Sequence, residues 1–187
     1  MSEYRRKKSE CVGEFSTFSV FRHEMIDGDG NPRRAAFTFS CRDWVSIVPV
    51  TADGRFVFVR QYRHGIDAPT LEVPGGIIDA GQTPEEAALR ELREESGYGG
   101  GTIVSLGKSR PNPALQDNWH HMYLLNGAVS VGATEFDHDE YCEVVVLSRD
   151  EVRAYIADGQ IGHALVLLAL ARAFDVLEAG ASAKVGR

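Results

Sequence analysis

Two apolar-rich stretches near the start of the chain have the composition of β-strands. Aromatic and β-branched residues are frequent in positions 15–25 and again in positions 35–39. The residues DGDGN at positions 27–31 lie between these two stretches and have the composition of a tight turn. The pattern predicts an N-terminal antiparallel β-hairpin. Positions 1–10 are polar and basic, and we expect them to form a frayed end.

Nearly continuous apolar runs come next and predict strands that are buried on both faces. The runs at 44–50 and 56–60 flank a turn signal, Ala-Asp-Gly, at 52–54. We therefore expect these two strands to lie in the centre of a sheet. Further strands are predicted at 101–106, 120–125 and 143–147, and helices at 149–157 and 161–177.

A helix with well-defined ends is predicted between the second and third groups of strands. Thr83 is a favourable N-cap residue, Pro84 fits the first helical position, and Glu86 completes a capping box. Gly97 is suited to end the helix. The helix follows a Pro-Gly-Gly turn at 74–76.

Composition narrows the class of protein. A length of 187 residues with 43% hydrophobic and 25% charged residues predicts one compact unit with, at most, an appended segment. The net charge of −7 disfavours a nucleic-acid partner, because such a surface repels phosphate polymers. The longest apolar stretch is too short to cross a bilayer, the N-terminus lacks a signal-peptide core, and three scattered cysteines suit a reducing compartment. We therefore expect a cytoplasmic protein without a membrane partner.

Three glutamates of the predicted helix form an acidic stripe. Glu91, Glu94 and Glu95 fall within an arc of roughly 100° on a helix of 3.6 residues per turn. Like charges three and four residues apart repel by about 0.2–0.5 kcal/mol per pair. A solvated acidic face is the ordinary explanation for such a stretch, but the preceding Gly-Gly turn can expose carbonyl oxygens beside the carboxylates. Hard divalent cations such as Mg²⁺ bind this kind of oxygen donor.

The same segment resembles a known family. Residues 76–98, GIIDAGQTPEEAALRELREESGY, resemble the Nudix box GX5EX7REUXEEXGU, in which U is aliphatic or bulky, at all but one of its fixed positions. The departure is Gln82, where the family has a glutamate that supports the box arginine. Glu86 and Glu94 lie four residues on either side of Arg90 and are expected to take over its ion pair.

The resemblance extends over about residues 44–147 and favours one branch of the family. The residues RQYR at 60–63 and LEVPGG at 71–76 resemble the ADP-ribose and nucleoside-diphosphate-sugar pyrophosphatases. The branch implies that Arg63, Glu72, Gln61 and Asn112 bind substrate. An arginine fork suits a diphosphate, and a glutamate can accept hydrogen bonds from sugar hydroxyls. The variant stretch RPNPA at 110–114 favours nucleoside-diphosphate sugars over ADP-ribose.

The family fold is α/β, an α/β/α sandwich around a mixed β-sheet, here with the N-terminal antiparallel hairpin added. We therefore expect residues 1–43 to form a hairpin segment that takes part in dimerisation and residues 44–187 to form the Nudix hydrolase domain. The branch implies a homodimer. Its substrate would be a small nucleoside diphosphate derivative.

The resemblance also implies a mechanism with Mg²⁺, or Mn²⁺ in its place. Its metal ligands would be Glu91, Glu94, Glu95 and a backbone carbonyl of Gly75 or Gly76. The catalytic residues would be Arg90, Glu94, Glu95 and Glu140. Glu140 belongs to an acidic stretch where this branch has a mobile loop, and either it or a helix glutamate would take a proton from the attacking water. The products would be a nucleoside monophosphate and a sugar phosphate.

Two other functions fit the sequence less well. A catalytically weak Nudix-fold module that binds or senses nucleotide sugars would explain Gln82, but it would not need three adjacent carboxylates. A structural or partner-binding protein would be expected to show an unexplained amphipathic or basic stripe, and we find none.

Overall fold

A computed structural model of the chain describes residues 4–134 and 142–185. It divides into two compact units. The first, called the hairpin unit here, comprises residues 1–43 and 109–119; the second, called the sheet unit, comprises residues 44–108 and 120–187. The grouping of residues 109–119 with the N-terminal residues was not predicted.

The hairpin unit contains a three-stranded antiparallel sheet in the order β1-β2-β3. Its strands are β1 (Arg5–Glu14), β2 (Phe18–Ile26) and β3 (Pro32–Cys41). The predicted turn joins β2 to β3 and is fixed by Asp27, whose Oδ1 accepts hydrogen bonds from the main-chain nitrogens of Asn31 (2.9 Å) and Asp29 (3.1 Å). Arg33 adds an ion pair to Asp27 at 2.7 Å. The predicted hairpin is confirmed.

Strand β1 corrects the expectation that positions 1–10 form a frayed end. It pairs with β2 from Arg5, opposite Ile26, to Glu14, opposite Ser19. The strand is exposed on both faces along nearly its whole length, so its side chains show no alternation of apolar and polar residues. Main-chain hydrogen bonds to a neighbouring strand hold it, and these leave no trace in a hydrophobic pattern.

The sheet unit is built on a mixed sheet. Its main path runs β11-β5-β4-β10-β8, with β6 paired to β5, β7 to β4 and β9 to β10. Strands β4 and β10 are parallel, whereas β5 is antiparallel to β4, β6 and β11. The strands are β4 (Trp44–Thr51), β5 (Phe56–Arg63), β6 (Ala68–Glu72), β7 (Gly75–Ile77), β8 (Tyr98–Gly99), β9 (Thr102–Ser109), β10 (His120–Ser130) and β11 (Glu143–Leu147).

Helices cover both faces of this sheet, which confirms the α/β/α sandwich. Successive side chains of β4 point to opposite faces. Val45 and Ile47 pack with Leu92 of α1 (Pro84–Ser96), which defines the α1 face. Val48 and Val50 pack in the core that includes residues of α2 (Arg149–Ala157) and α3 (Ala164–Val185), which defines the α3 face.

The element boundaries differ from the predicted ones mainly at short strands. Helix α1 has the predicted Thr83 N-cap, the capping box with Glu86 and a left-handed Gly97 at its end. Helix α2 spans the predicted residues, and α3 begins three residues later than expected and ends later. Strands β6, β7 and β8 have five residues or fewer and were not predicted. Among the described residues, no helix is both long enough and apolar enough to span a membrane.

Candidate active site

The acidic stripe of α1 lies where the helix packs against the sheet. Ala88 and Leu92 are completely buried on the sheet side, so the neighbouring turns of the helix are held against β4. Glu91 and Glu95 are 9% and 4% exposed, whereas the Glu94 side chain is 37% exposed. Two of the three predicted metal ligands are therefore buried carboxylates, and this excludes a merely solvated acidic face.

Arg90 links two of these carboxylates to the sheet. Its Nη1 donates to Glu94 Oε2 at 2.7 Å and its Nη2 to Glu91 Oε1 at 2.9 Å. Nη2 also donates to the carbonyl of Ile77, at 3.3 Å, which ties the helix to β7. Burial alone would lower the pKa of Arg90, but the two glutamates outweigh it and raise that pKa, so the guanidinium stays charged. Arg90 neutralises part of the repulsion within the stripe.

The carboxylates that lie beside Arg90 are not all the predicted ones. Glu94 pairs with Arg90 as expected, but Glu86 does not, because its carboxylate closes the capping box by accepting from the Thr83 main-chain nitrogen and hydroxyl, each at 2.8 Å. Gln82 accepts a long hydrogen bond, 3.4 Å, from the Asp79 nitrogen. Asp79 itself lies 3.6 Å from Arg90. Asp79 and Glu91 thus supply the negative charge that Glu86 was expected to provide.

Glu95 is held by the strands beside it. Its Oε2 accepts from the Gly75 nitrogen at 2.9 Å and its Oε1 from the side-chain amide of Gln61. Burial is the main cause that raises the pKa of Glu95 to about 8; the nearby charge of Glu91 acts in the same direction, and the hydrogen bond from Gly75 opposes both. Gln61, predicted to bind substrate, lies in this structure against a predicted metal ligand.

Gly75 and Gly76 allow β7 to approach both β4 and α1. A Cβ on Gly75 would overlap the Val45 carbonyl oxygen of β4, and a Cβ on Gly76 would overlap the Glu91 carboxylate. Strand β7 pairs with β4 at these residues, Gly76 opposite Val45. The absence of two side chains therefore brings a backbone segment against the acidic stripe.

This donor set fits a hard divalent cation in composition. In the described part of the chain, no three His, Cys, Asp or Glu side chains converge as a ready-made metal cluster. Arg90 and Gly75 donate to oxygens of Glu91, Glu94 and Glu95. However, the carboxylates of Glu91 and Glu95 repel each other, and a cation between them would relieve this repulsion. The space beside the Glu91 carboxylate is kept open because residue 76 has no side chain. Carboxylates and peptide oxygens are the ligands that Mg²⁺ prefers. The residues present therefore fit such an ion.

A second charged cluster surrounds Glu72 at the end of β6. Arg63 binds both oxygens of this 3%-exposed carboxylate, with Nε at 2.7 Å and Nη2 at 2.8 Å. Thr70 donates its hydroxyl hydrogen to Oε1, and His163 Nδ1 lies 3.2 Å from Oε2. Burial opposes the charge on Glu72, yet these contacts outweigh it and hold its pKa well below the ordinary value. His163 and Thr70 were not foreseen, since neither has a sequence signal.

A cavity of about 990 Å³ adjoins this cluster. Its walls come from β4, β6, β7, the start of β10 and residues 159–166, and we call it the α3-side cavity. His120, Met122 and Leu124 are every second residue of β10 and therefore point to the same face of the sheet. Met122 and Leu124 belong to the core of the α3 face, so His120 lies on that face. The two predicted substrate residues Arg63 and Glu72 and both glycines of β7 also line the cavity.

Two predicted site residues are not part of the contacts described above. Asn112 belongs to the hairpin unit, where its main-chain carbonyl accepts from the nitrogens of Leu115 (3.0 Å) and Gln116 (2.7 Å) and thereby closes a turn. Glu140 lies outside the described residues. The substrate role of Asn112 and the catalytic role of Glu140 stay predictions.

Comparisons with known proteins agree with the resemblance found in the sequence. A family model described as NUDIX domain matches residues 42–168. A methanol dehydrogenase activator from Bacillus methanolicus is 30% identical over 67% of this chain and 69% of its own length. An ADP-ribose pyrophosphatase from Bacillus subtilis is 28% identical with the same coverage, and an ADP-sugar pyrophosphatase from Mus musculus is 44% identical over 59% of this chain and 55% of its own. A solved structure described as an ADP compounds hydrolase has the same fold, with a TM-score of 0.84, 23% identity, and coverage of 95% of this chain and 96% of that one.

Proposed function

Because the chain belongs to the Nudix family and is a Nudix hydrolase, we propose that it hydrolyses the diphosphate linkage of a nucleoside diphosphate sugar or of ADP-ribose in a Mg²⁺-dependent reaction. The products are a nucleoside monophosphate and a sugar phosphate. The observation that carries the proposal is the buried stripe of Glu91 and Glu95, joined by Glu94 through Arg90, against the bare backbone of Gly75 and Gly76. Relatives named ADP-ribose and ADP-sugar pyrophosphatase support this substrate class.

The α1 face holds the reacting end of the substrate. Glu91, Glu94, Glu95 and a carbonyl of Gly75 or Gly76 would bind Mg²⁺, with Mn²⁺ as a substitute; Nudix hydrolases generally use divalent ions. When bound, the ion offsets the negative charge that develops on the phosphorus oxygens. Arg90 orients Glu91 and Glu94, and the Gly75 nitrogen and Gln61 orient Glu95. Four carboxylate-directed hydrogen bonds thus preorganise the ligands.

Arg63 is the proposed diphosphate-binding residue, and Glu72 is the residue that positions it. The acceptor positions of the Glu72 carboxylate are used by Arg63, Thr70 and His163. Glu72 therefore acts through Arg63, by orienting a guanidinium, and not by accepting from a sugar hydroxyl. A proton from the attacking water passes to a carboxylate, which we assign to Glu140 by family resemblance, with Glu94 and Glu95 as the competing assignments.

Turnover of defined substrates tests the proposed function. ADP-ribose, ADP-glucose, GDP-mannose and UDP-glucose are incubated with the full chain, with and without Mg²⁺, and the monophosphate product is measured by chromatography. Glu94→Gln and Glu95→Gln should each reduce kcat by about 100-fold or more, since each removes a carboxylate that the proposal assigns to the metal ion. Glu85→Gln is the matched control, because Glu85 is an exposed glutamate in the first turn of the same helix. Equal rates in all four proteins would contradict the assignment.

The sensing module remains a second candidate, favoured by one observation. Arg90 holds two of the three carboxylates, and the box glutamate is replaced by Gln82. A sensor would bind the nucleotide sugar without converting it. If only Gln82→Glu turns over substrate while the unmodified chain binds it, the sensor explains the data and the hydrolase proposal fails.

The assembly and location of the chain are also proposals. We propose a homodimer in which residues 1–43 take part and a cytoplasmic location, with no nucleic-acid partner. Light scattering after size-exclusion chromatography tests the first point. A monomer of 20.5 kDa would contradict it.

A further inference from the structure

Hydrogen-bond donors from three residues surround the buried carboxylate of Glu72. Arg63 donates from Nε to Oε1 at 2.7 Å and from Nη2 to Oε2 at 2.8 Å. The Thr70 hydroxyl donates to Oε1, and His163 Nδ1 lies 3.2 Å from Oε2. A carboxylate has about four acceptor positions, so these contacts use all of them. Because Glu72 is 3% exposed, these donors, and not water, set the plane of its carboxylate.

His163 is the donor that does not belong to the paired strands β5 and β6. It directly precedes α3, and its carbonyl accepts the hydrogen bond from the Leu167 nitrogen, at 3.0 Å, that begins this helix. Two residues earlier, Ile161 is 1% exposed and packs in the core of the α3 face. The backbone that carries the imidazole is therefore fixed on both sides. Contact with a carboxylate requires that a neutral His163 carries its proton on Nδ1.

The orientation of Arg63 depends on the carboxylate of Glu72. The two hydrogen bonds fix the plane of the guanidinium relative to the plane of the carboxylate, and the remaining N–H groups stay available for a phosphate. The Arg63 side chain is 46% exposed, so packing holds it less firmly than these two bonds do. The hydrogen bond to Glu72 is the largest cause that raises the pKa of Arg63, and the charge of Glu95 acts in the same direction. A rotation of the Glu72 carboxylate would therefore move a cation that interacts with the acidic stripe.

We propose that His163 is a positioning residue for the hydrolysis: by holding Oε2 of Glu72 it fixes the carboxylate plane, and through it the guanidinium of Arg63. This inference rests on the proposed function for the role of Arg63 as the diphosphate-binding residue. His163 acts through Glu72 and does not itself contact the substrate. The start of α3 thereby sets the orientation of a group that belongs to β5.

Binding of a diphosphate that cannot be hydrolysed tests the inference separately from catalysis. Isothermal titration calorimetry of the full chain with methylenediphosphonate and Mg²⁺ measures the dissociation constant. His163→Leu removes the donor and should weaken binding about tenfold, the effect of one lost hydrogen bond. His163→Asn offers an amide N–H in place of Nδ1 and should keep most of the affinity. His64→Leu is the matched control and should bind like the unmodified chain, because His64 is exposed and its ring packs against Tyr62.

A double-mutant cycle with Arg63→Gln separates positioning from direct contact. Arg63→Gln should itself weaken binding about tenfold or more, since it removes the charged fork. In that background His163→Leu should cause no further loss, because no guanidinium is left to position. Kinetics on a substrate that is turned over should agree: His163→Leu raises KM about tenfold and changes kcat by less than about threefold, as for binding energy that is equal in the ground state and the transition state.

Circular dichroism and melting curves check that each variant is folded. The His163 side chain is 43% exposed, and His163→Ala replaces His163→Leu if the larger apolar residue disturbs the fold.

The outcomes separate the two proposals. Losses that add in the double variant would show that His163 contacts the ligand itself and would overturn the inference. Equal affinity of His163→Leu and the control, or an affinity of His163→Asn as low as that of His163→Leu, would overturn it as well. Full coupling between His163 and Arg63 without turnover of any diphosphate sugar would instead reject the proposed hydrolysis and leave the positioning role standing. Turnover with no effect of His163→Leu on KM or on binding would do the reverse.

Discussion

The two faces of the large sheet differ in how they manage charge. On the α1 face, Glu91, Glu94 and Glu95 concentrate negative charge, and a single arginine offsets part of it. In the α3-side cavity, the buried carboxylate of Glu72 is paired with Arg63, and His120 is kept neutral by burial. Negative charge is therefore concentrated on the α1 face, whereas it is balanced within an ion pair in the cavity.

Gly76 borders both the acidic stripe and the α3-side cavity. Adding a side chain at this position should reduce activity more than any other change considered below. The missing side chain of Gly76 leaves room for Glu91. Gly76→Ala should reduce kcat about 100-fold or more, because small displacements of catalytic groups have effects of this size. Gly28→Ala, at a turn position with open space and no positive φ, is the control and should retain full activity. Normal turnover of Gly76→Ala would show that Glu91 is not needed in this place.

The ion pair of Glu72 with Arg63 is the main charged contact beside the α3-side cavity. Glu72→Gln removes the buried charge that Arg63 and His163 contact. The free energy of unfolding should decrease by about 1–3 kcal/mol. The loss is smaller than for a fully buried ion pair because Arg63 is half exposed. Urea unfolding measures the change. Glu143→Gln removes an exposed ion pair with Arg60 and should change stability by less than about 0.5 kcal/mol. Equal losses in the two variants would mean that the Glu72 cluster stabilises no more than a surface pair.

Acid should act on the same cluster. The pKa of Glu72 is depressed in the folded chain, so its contribution is complete above the ordinary glutamate pKa of about 4.3 and is lost as the pH falls toward the folded-state value. The free energy of unfolding of the unmodified chain should therefore decrease more steeply below pH 4 than that of Glu72→Gln. Parallel curves would place the acid sensitivity in other carboxylates.

The smallest effect is expected at the altered box position. Gln82 accepts one long hydrogen bond from Asp79, and Arg90 already has carboxylate partners in Glu91 and Glu94. Gln82→Glu should therefore change kcat by less than about threefold, a barrier difference of roughly 0.6 kcal/mol. A gain of 100-fold or more would show that the α1 face is incomplete without that charge.

The α1 face could be predicted from the sequence because its information is local. Thr83, Glu86 and Gly97 fix the ends of one helix, and the three carboxylates follow from its periodicity. The approach of Glu91 to Gly76 was not predicted, because the Gly-Gly pair indicated only exposed carbonyl oxygens. That Asp79, and not Glu86, lies beside Arg90 could not be predicted. Both are acidic residues close to Arg90 in the sequence, and Glu86 is instead held by the capping box with Thr83.

The α3-side cavity could not be predicted because its residues are far apart in the chain. Trp44, Glu72, His120 and His163 come from four elements or loops, and their meeting depends on strand order and on where α3 begins. Alternation along β10 places His120 and His121 on opposite faces of the sheet. Strand β1 was missed for a related reason, since main-chain pairing alone holds it.

The position of Arg90 bears on how the protein tolerates a shortage of metal. Its guanidinium is an internal counterion that is covalently part of the chain and cannot be dialysed away. Treatment with a chelator should therefore abolish turnover while leaving the far-ultraviolet circular dichroism and the melting temperature nearly unchanged, and adding Mg²⁺ back should restore the rate. The folded state would then not depend on a bound ion for its stability.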